Sequence, residues 1–171
     1  SLLAFPEYIA YFNEAAGGKR GGAKLLDDSN IDWGQDWVQA AAYQKAHNLD
    51  DLYFAVWNRI DPRPLYGLEG TEIPETDTYL PREGWYMVSA HTLNRDFIFS
   101  YDRPTVFDWL DRYEPVALVG GATYVFRFWV ERPGHPVPEG FRGTVLTPER
   151  RYADAADRLR IALERRPGSI G

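Results

Sequence analysis

Two strand-like runs separated by a helix-length segment set the first constraint on this fold. Residues 23–27 are predicted to be a short buried strand, residues 33–47 have the length and composition of a helix, and residues 52–57 are aromatic and β-branched. This order and spacing are typical of a βαβ unit, whose two strands are normally parallel. A further apolar run at residues 84–90 predicts another strand. We therefore expect an α/β fold.

The C-terminal half adds an antiparallel element. Gly120-Gly121 separates two strand-like runs, 116–119 and 122–130, which predicts a hairpin. Pro104 and Pro115 bound a second helix, and Thr147-Pro148 begins a final one. The predicted fold is thus a mixed sheet with helices packed on it.

The domain organisation follows from the Pro/Gly distribution. Residues 1–131 form the predicted α/β domain, in which residues 1–18 are an aromatic N-terminal helix suited either to the core or to a position beside a membrane. Residues 61–82 are predicted to be a long irregular loop. Residues 132–146 are a predicted Pro/Gly-rich linker, and residues 147–171 hold the final helix and a tail.

Charge and cysteine content exclude several classes of function. The net charge is −6, and Lys and Arg concentrate only in the last helix, so a nucleic-acid partner is not expected. The absence of cysteine excludes disulfides and thiolate metal sites. No apolar run approaches the ~18 residues that span a bilayer. The abrupt apolar start at Ser1, with no signal-peptide pattern, indicates a piece of a longer chain.

The densest polar cluster follows the first predicted strand and opens the first long helix. Ligands of open α/β sheets bind at the carboxyl ends of strands, so this cluster is the first candidate site. Its candidate ligand-binding residues are Asp27, Asp28, Asn30, Asp32, Trp33, Gln35 and Asp36.

Three interpretations of this cluster stay open. Asp32 followed by Gln35 fits an N-terminal capping box, which needs no ligand. Asp28, Asn30 and Asp32 have the alternating spacing of a calcium loop, but the glycine comes one residue late. A looser oxygen-ligand site for a divalent cation is the alternative, and no other cofactor is expected.

The third interpretation is recognition of a sugar or lipid head group. Trp33 and Trp37 offer stacking surfaces, and the carboxylates accept hydrogen bonds from hydroxyl groups. The same carboxylates are candidates for the acid pair of a glycosidase. Arg59, after the second strand, is predicted to pair with the cluster or to bind phosphate. His91, after a later strand, is the one histidine placed for a site, although a buried or capping role is favoured over catalysis.

Two longer motifs stand out in the N-terminal part, Tyr-Phe-Asn-Glu-Ala-Ala-Gly-Gly at residues 11–18 and Leu-Asp-Asp-Ser-Asn-Ile-Asp-Trp-Gly-Gln-Asp at residues 26–36. They resemble the region after the last membrane spans of bacterial family-39-like (protein-mannosyltransferase-like) glycosyltransferases. Weaker matches are Gly-Trp-Tyr at residues 84–86 and Glu-Pro-Val-Ala at residues 114–117. The similarity covers residues 6–130.

The resemblance implies a domain on the extracytoplasmic side of a polytopic membrane hexosyltransferase that uses a polyprenyl-phosphate-linked sugar donor. The family's catalytic acids lie on an early loop outside this chain, so it implies no catalytic residue here. The implied partners are the rest of the membrane protein and a glycan or lipid-linked sugar acceptor. Two other hypotheses stay open: a free-standing carbohydrate-active hydrolase using the acidic cluster, and a purely structural interaction module.

Overall fold

The structure is a computed structural model and describes residues 33–56, 60–73, 81–93 and 107–165. The predicted N-terminal helix and the predicted strand at residues 23–27 lie outside these ranges.

In the described part of the chain, a six-stranded mixed sheet forms the centre of the fold. Its strands are β1 (Leu52–Ala55), β2 (Thr71–Glu72), β3 (Gly84–Ser89), β4 (Ala117–Val119), β5 (Thr123–Val130) and β6 (Thr144–Leu146). The order is β2-β1-β3-β5. On the side of β5 away from β3, β4 pairs with the first residues of β5 and β6 pairs with the last ones. β1 is parallel to β2 and β3, β3 and β4 are antiparallel to β5, and β6 is parallel to β5.

Among the described residues, the helices are α1 (Trp37–His47), α2 (Pro62–Tyr66), a 3-10 helix (Asp108–Arg112) and α3 (Pro148–Arg165), and residues 90–93 are also helical. The predicted α/β class, the mixed sheet and the antiparallel hairpin are confirmed. β1, α2 and β2 form a βαβ unit, because β1 and β2 are parallel and α2 lies between them in the chain.

Side chains alternate along the strands and divide the core into two layers. On one side of the sheet, Phe54, Met87 and Val125 pack under α1 through its Trp37 and Ala40. The opposite side holds an aromatic layer beneath the 3-10 helix, formed by Tyr86, Phe126, Phe128, Trp109 and Tyr113. The sheet is therefore covered on both sides, and its central strands β3 and β5 are largely apolar.

Helix α1 begins later than the sequence predicted. Residues 33–36 form a turn, and the first helical residue is Trp37. On α1, Val38 is exposed while Trp37, Ala40 and Gln44 are buried. Because α1 is rich in alanine, its sequence specifies the buried face of the helix only weakly. The large indole of Trp37 determines which face is buried.

Buried Gln44 fixes α1 against the segment that follows α2. Its Oε1 accepts a hydrogen bond from the backbone N–H of Glu69 (2.9 Å), and its Nε2 donates to the carbonyl oxygens of Glu69 and Leu49. These bonds help to order part of residues 61–82, which were predicted to be irregular throughout. The prediction missed α2 and β2 because each is too short to show a periodic pattern.

The Pro/Gly-rich stretch after β5 is ordered against the sheet. Phe141 and Trp85 lie on either side of the Arg127 guanidinium, with ring centroids 4.7 Å and 4.6 Å from its carbon. The His135 ring stacks on the Trp129 ring, with centroids 4.1 Å apart, and His135 is half-buried. The last three residues of the predicted linker form β6, which pairs with β5.

The second predicted helix lies partly outside the described ranges. Its described part contains the 3-10 helix Asp108–Arg112. The final helix begins as predicted, since Thr147 Oγ1 accepts from the N–H of Arg150 and Pro148 is the first helical residue.

Ion pairs hold α3 to the 3-10 helix, and they predict that this contact weakens at acidic pH. The Asp157 carboxylate accepts from Arg160 (2.7 Å) and Arg112 (2.8 Å), and these hydrogen bonds, that from Arg160 foremost, lower the pKa of Asp157 below 3.8. A lowered folded-state pKa gives stabilisation that is complete above the unfolded value and lost as the pH falls through the folded value.

We therefore expect the amide protons of α3 to exchange faster, relative to those of β5, as the pH falls below about 4. Hydrogen exchange followed by mass spectrometry measures the difference. The Asp157→Asn variant is the control and should lose most of the pH dependence. If the pH dependence of amide exchange in α3 is unchanged in Asp157→Asn, it arises from other carboxylates.

Candidate functional site

Five of the six buried polar side chains in the described part of the chain gather at one edge of the sheet, where β3 ends and β5 begins. These residues, which we call the polar rim, are Asp36, Ser89, His91, Thr92 and Thr123. The parallel neighbour β1 ends at the same edge with Ala55. Because parallel strands end together, the segments that follow β1 and β3 leave the sheet side by side.

Asp36 is the acidic residue of the rim. Only 2% of it is exposed, and its Oδ2 accepts a hydrogen bond of 2.7 Å from the backbone N–H of Ala122. Asp36 is also the N-terminal flanking residue of α1, but its side chain makes no capping hydrogen bond there. The carboxylate therefore joins the start of α1 to the turn between β4 and β5, far away in the sequence.

Gly120 makes this contact possible. It has φ +64°, and a Cβ atom at this position would lie 2.3 Å from Cγ of Asp36 and 2.6 Å from each carboxylate oxygen. Gly121 also has a positive φ of 98°. The two glycines give the β4–β5 turn its shape and let the carboxylate approach the backbone.

Ser89 and Thr123 lie opposite each other in the β3–β5 register, on the side of the sheet that α1 covers. Beyond them, the N–H of Ala90 donates to the carbonyl of Ala122 at 2.7 Å. Residues 90–93 are helical and carry His91 and Thr92, which are both buried. The five residues of the polar rim thus all lie close to the Ala90–Ala122 hydrogen bond, either near it in the chain or, for Asp36, through a hydrogen bond to Ala122.

Trp33 and Gln35 lie at the outer side of the rim. Gln35 Oε1 accepts from the N–H of Trp33 at 2.6 Å, which stabilises the turn that precedes α1. The Trp33 side chain is 58% exposed and offers an aromatic surface to solvent. Trp37 does not, because it is 1% exposed and packs edge-on against Phe54 in the core. The prediction of a stacking role for Trp37 was therefore wrong.

The remaining predicted site residues lie outside the described ranges: Asp27, Asp28, Asn30, Asp32 and Arg59. The calcium and capping-box interpretations depend on Asp32 and stay predictions, as does the pairing of Arg59 with the cluster. His91 is placed at the rim and is buried, in line with the favoured buried role. Within the described ranges, no cluster of three or more His, Asp or Glu side chains could hold a metal ion.

Sequence reasoning missed Ser89, Thr92 and Thr123. The signal for them was weak, since a single serine or threonine at a strand end is common. The pairing of Ser89 with Thr123 comes from the register of β3 and β5, which do not follow each other in the chain. The Gly120-Gly121 turn joins β4 to β5 and fixes only their register, so no local pattern links Ser89 to Thr123 or either residue to Asp36.

The comparisons with known proteins give no match: neither a protein-family profile, nor a curated protein, nor a solved structure is similar to this chain. None of the helices in the described part of the chain has the length and apolar character needed to cross a bilayer. The residues of the polar rim therefore provide the basis for a functional proposal.

Proposed function

We propose that this chain is an accessory domain of a membrane glycosyltransferase and that it binds a glycan or lipid-linked sugar acceptor at the polar rim. The proposal places the domain on the extracytoplasmic side and assigns the catalytic step to another part of the parent protein. Its starting point is the sequence resemblance at residues 11–18 and 26–36.

The exposed Trp33 beside the buried Asp36 is the observation that carries the proposal. Residues 33–36 belong to the second motif of the resemblance, so the motif ends at the polar rim. An indole face binds the apolar face of a sugar ring, and neighbouring polar groups bind its hydroxyls. The segments after β1 and β3, which carry Arg59 and His91, begin at the same edge.

Replacing Trp33 by alanine is expected to weaken glycan binding about tenfold or more, since a stacked aromatic ring contributes on the order of 1.5 kcal/mol. Titration with mannose-containing oligosaccharides, followed by the indole N–H signals in NMR spectra, measures binding. Tyr152→Ala is the matched control, because Tyr152 is an exposed aromatic residue on α3, away from the rim. Equal affinity in the wild type and both variants would place any glycan site elsewhere.

The parent enzyme provides a second test. Deleting this domain from the full-length protein should impair sugar transfer to the native acceptor while membrane insertion is retained. The Trp33→Ala variant of the full-length enzyme should raise KM for the acceptor and leave kcat nearly unchanged, because binding is lost without altering the catalytic groups. Unchanged transfer after deletion would rule out an accessory role.

A further inference from the structure

The longest helix carries an apolar stripe that nothing in the described part of the chain covers. On α3, Tyr152 is 65% and Leu159 48% exposed, and Ala156 between them is exposed as well. Residues spaced by three or four positions lie on one side of a helix, so the three form a continuous surface.

The docking of α3 in the monomer uses the other side of the helix. Arg151 Nε donates to the carbonyl of Pro81 at 2.8 Å, and the Asp154 carboxylate accepts a hydrogen bond from Tyr113 Oη. Ala155 is buried against the domain. Tyr152 and Leu159 therefore remain available while α3 stays in place.

Opposite charges flank the stripe along one edge. Glu149 and Arg160 are about three helical turns apart and lie near the two ends of the stripe, on the same edge. Both are exposed, and Arg160 pairs with Asp157 of its own helix at 2.7 Å. When a second copy of the helix runs antiparallel to the first, the negative end of this edge in one copy faces the positive end in the other copy.

We propose that the apolar stripe of α3 binds α3 of a second copy of this chain in an antiparallel, two-fold symmetric pair. In such a pair Tyr152 contacts Leu159 of the second copy, and each contact occurs twice. Glu149 then lies about 3 Å along the axis from Arg160 of the second copy, because each residue advances a helix by about 1.5 Å. Two ion pairs therefore flank the apolar contact.

The size of the surface determines the affinity of the association, and its charge determines the kind of partner. A helix of 18 residues is about 27 Å long, so one helix pair buries less area than a standard interface and gives weak, concentration-dependent association. Helices that bind anionic lipid carry mostly Lys and Arg around their apolar face. Here Glu149 flanks the stripe, and the chain has a net charge of −6, which favours a second copy over a lipid surface.

Analytical ultracentrifugation of the 171-residue chain, from low micromolar to sub-millimolar concentration, tests the proposal. The wild type should show a reversible monomer–dimer equilibrium. Leu159→Asp should raise the dimer dissociation constant about tenfold or more, since it removes an apolar contact made twice. Val137→Asp replaces an exposed apolar residue away from α3 and should leave the equilibrium unchanged.

Charge reversal tests the register. Glu149→Arg and Arg160→Glu should each weaken dimerisation, and the double variant should restore it, because both ion pairs are then reversed. Circular dichroism confirms that α3 is retained in each variant. A chain that stays monomeric at all concentrations, a dimer that is insensitive to Leu159→Asp, or a double variant no better than the single variants would overturn the proposal. So would a monomer that binds lipid vesicles through Leu159.

Discussion

Replacing Trp109 by alanine is expected to lower the free energy of unfolding by about 4 kcal/mol, the largest effect of any single truncation proposed for this chain. Trp109 belongs to the 3-10 helix and is almost fully buried. Its ring centroid lies 5.7 Å from that of Phe128 and 5.8 Å from that of Tyr86, which are on β5 and β3. Truncation removes these contacts and leaves a cavity that rigid neighbouring rings fill poorly.

Urea unfolding followed by far-ultraviolet circular dichroism measures this effect. Trp33→Ala is the matched control, because it removes the same side chain from an exposed position and should change the free energy of unfolding by about 0.5 kcal/mol or less. Trp109→Phe keeps an aromatic ring in the layer and should have an intermediate effect. Similar midpoints for Trp109→Ala and Trp33→Ala would show that the aromatic layer does not limit stability.

The elements that sequence reasoning found are those with strong local signals. The hairpin was predicted from Gly120-Gly121, and both glycines have the positive φ that such turns need. β1 was predicted from an aromatic and β-branched run and β3 from an apolar run, and both are largely buried within the sheet. In each case the residues that specify the element lie within it, so no tertiary information was needed.

The elements that it missed depend on distant contacts. β6 is three residues long and follows a Pro/Gly-rich stretch, and its position depends on pairing with β5. β2 has two residues and is held by pairing with β1. The start of α1 was predicted too early because Asp32 and Gln35 fit a capping pattern. In the structure the helix begins only after Asp36, whose carboxylate is hydrogen-bonded to Ala122 in the β4–β5 connection.

The polar rim shows the same limit. The sequence predicted a functional cluster around Asp36, but it did not predict that the carboxylate is buried against a hairpin turn more than eighty residues away. Of the candidate ligand-binding residues within the described ranges, Trp33 is exposed and Asp36 is committed to the fold. Asp36 therefore acts as a positioning residue in the proposed site, because it fixes the turn that presents Trp33.

Gly120→Ala is expected to lower the free energy of unfolding by about 3 kcal/mol, through two separate causes. The first is the positive φ of Gly120, which costs an alanine about 1 kcal/mol. The second is the new methyl group, which would lie 2.3 Å from Cγ of Asp36, so either the carboxylate or the turn must move. Movement of the carboxylate also breaks its hydrogen bond to the buried N–H of Ala122, which adds to the cost.

A glycine with similar backbone geometry separates the two causes. Gly134 has φ +74°, and a Cβ atom there meets nothing within 4 Å, so Gly134→Ala should cost only about 1 kcal/mol. In an Asp36→Ala background the carboxylate is absent, and Gly120→Ala should then cost about the same as Gly134→Ala. Denaturant unfolding of the four proteins of this cycle gives the coupling energy, expected to be about 2 kcal/mol. If Gly120→Ala instead lowers the free energy of unfolding equally with and without the Asp36 carboxylate, the close approach of Asp36 to the β4–β5 turn does not contribute to stability. That result would also contradict the role of Asp36 in positioning residues 33–36, which carry Trp33.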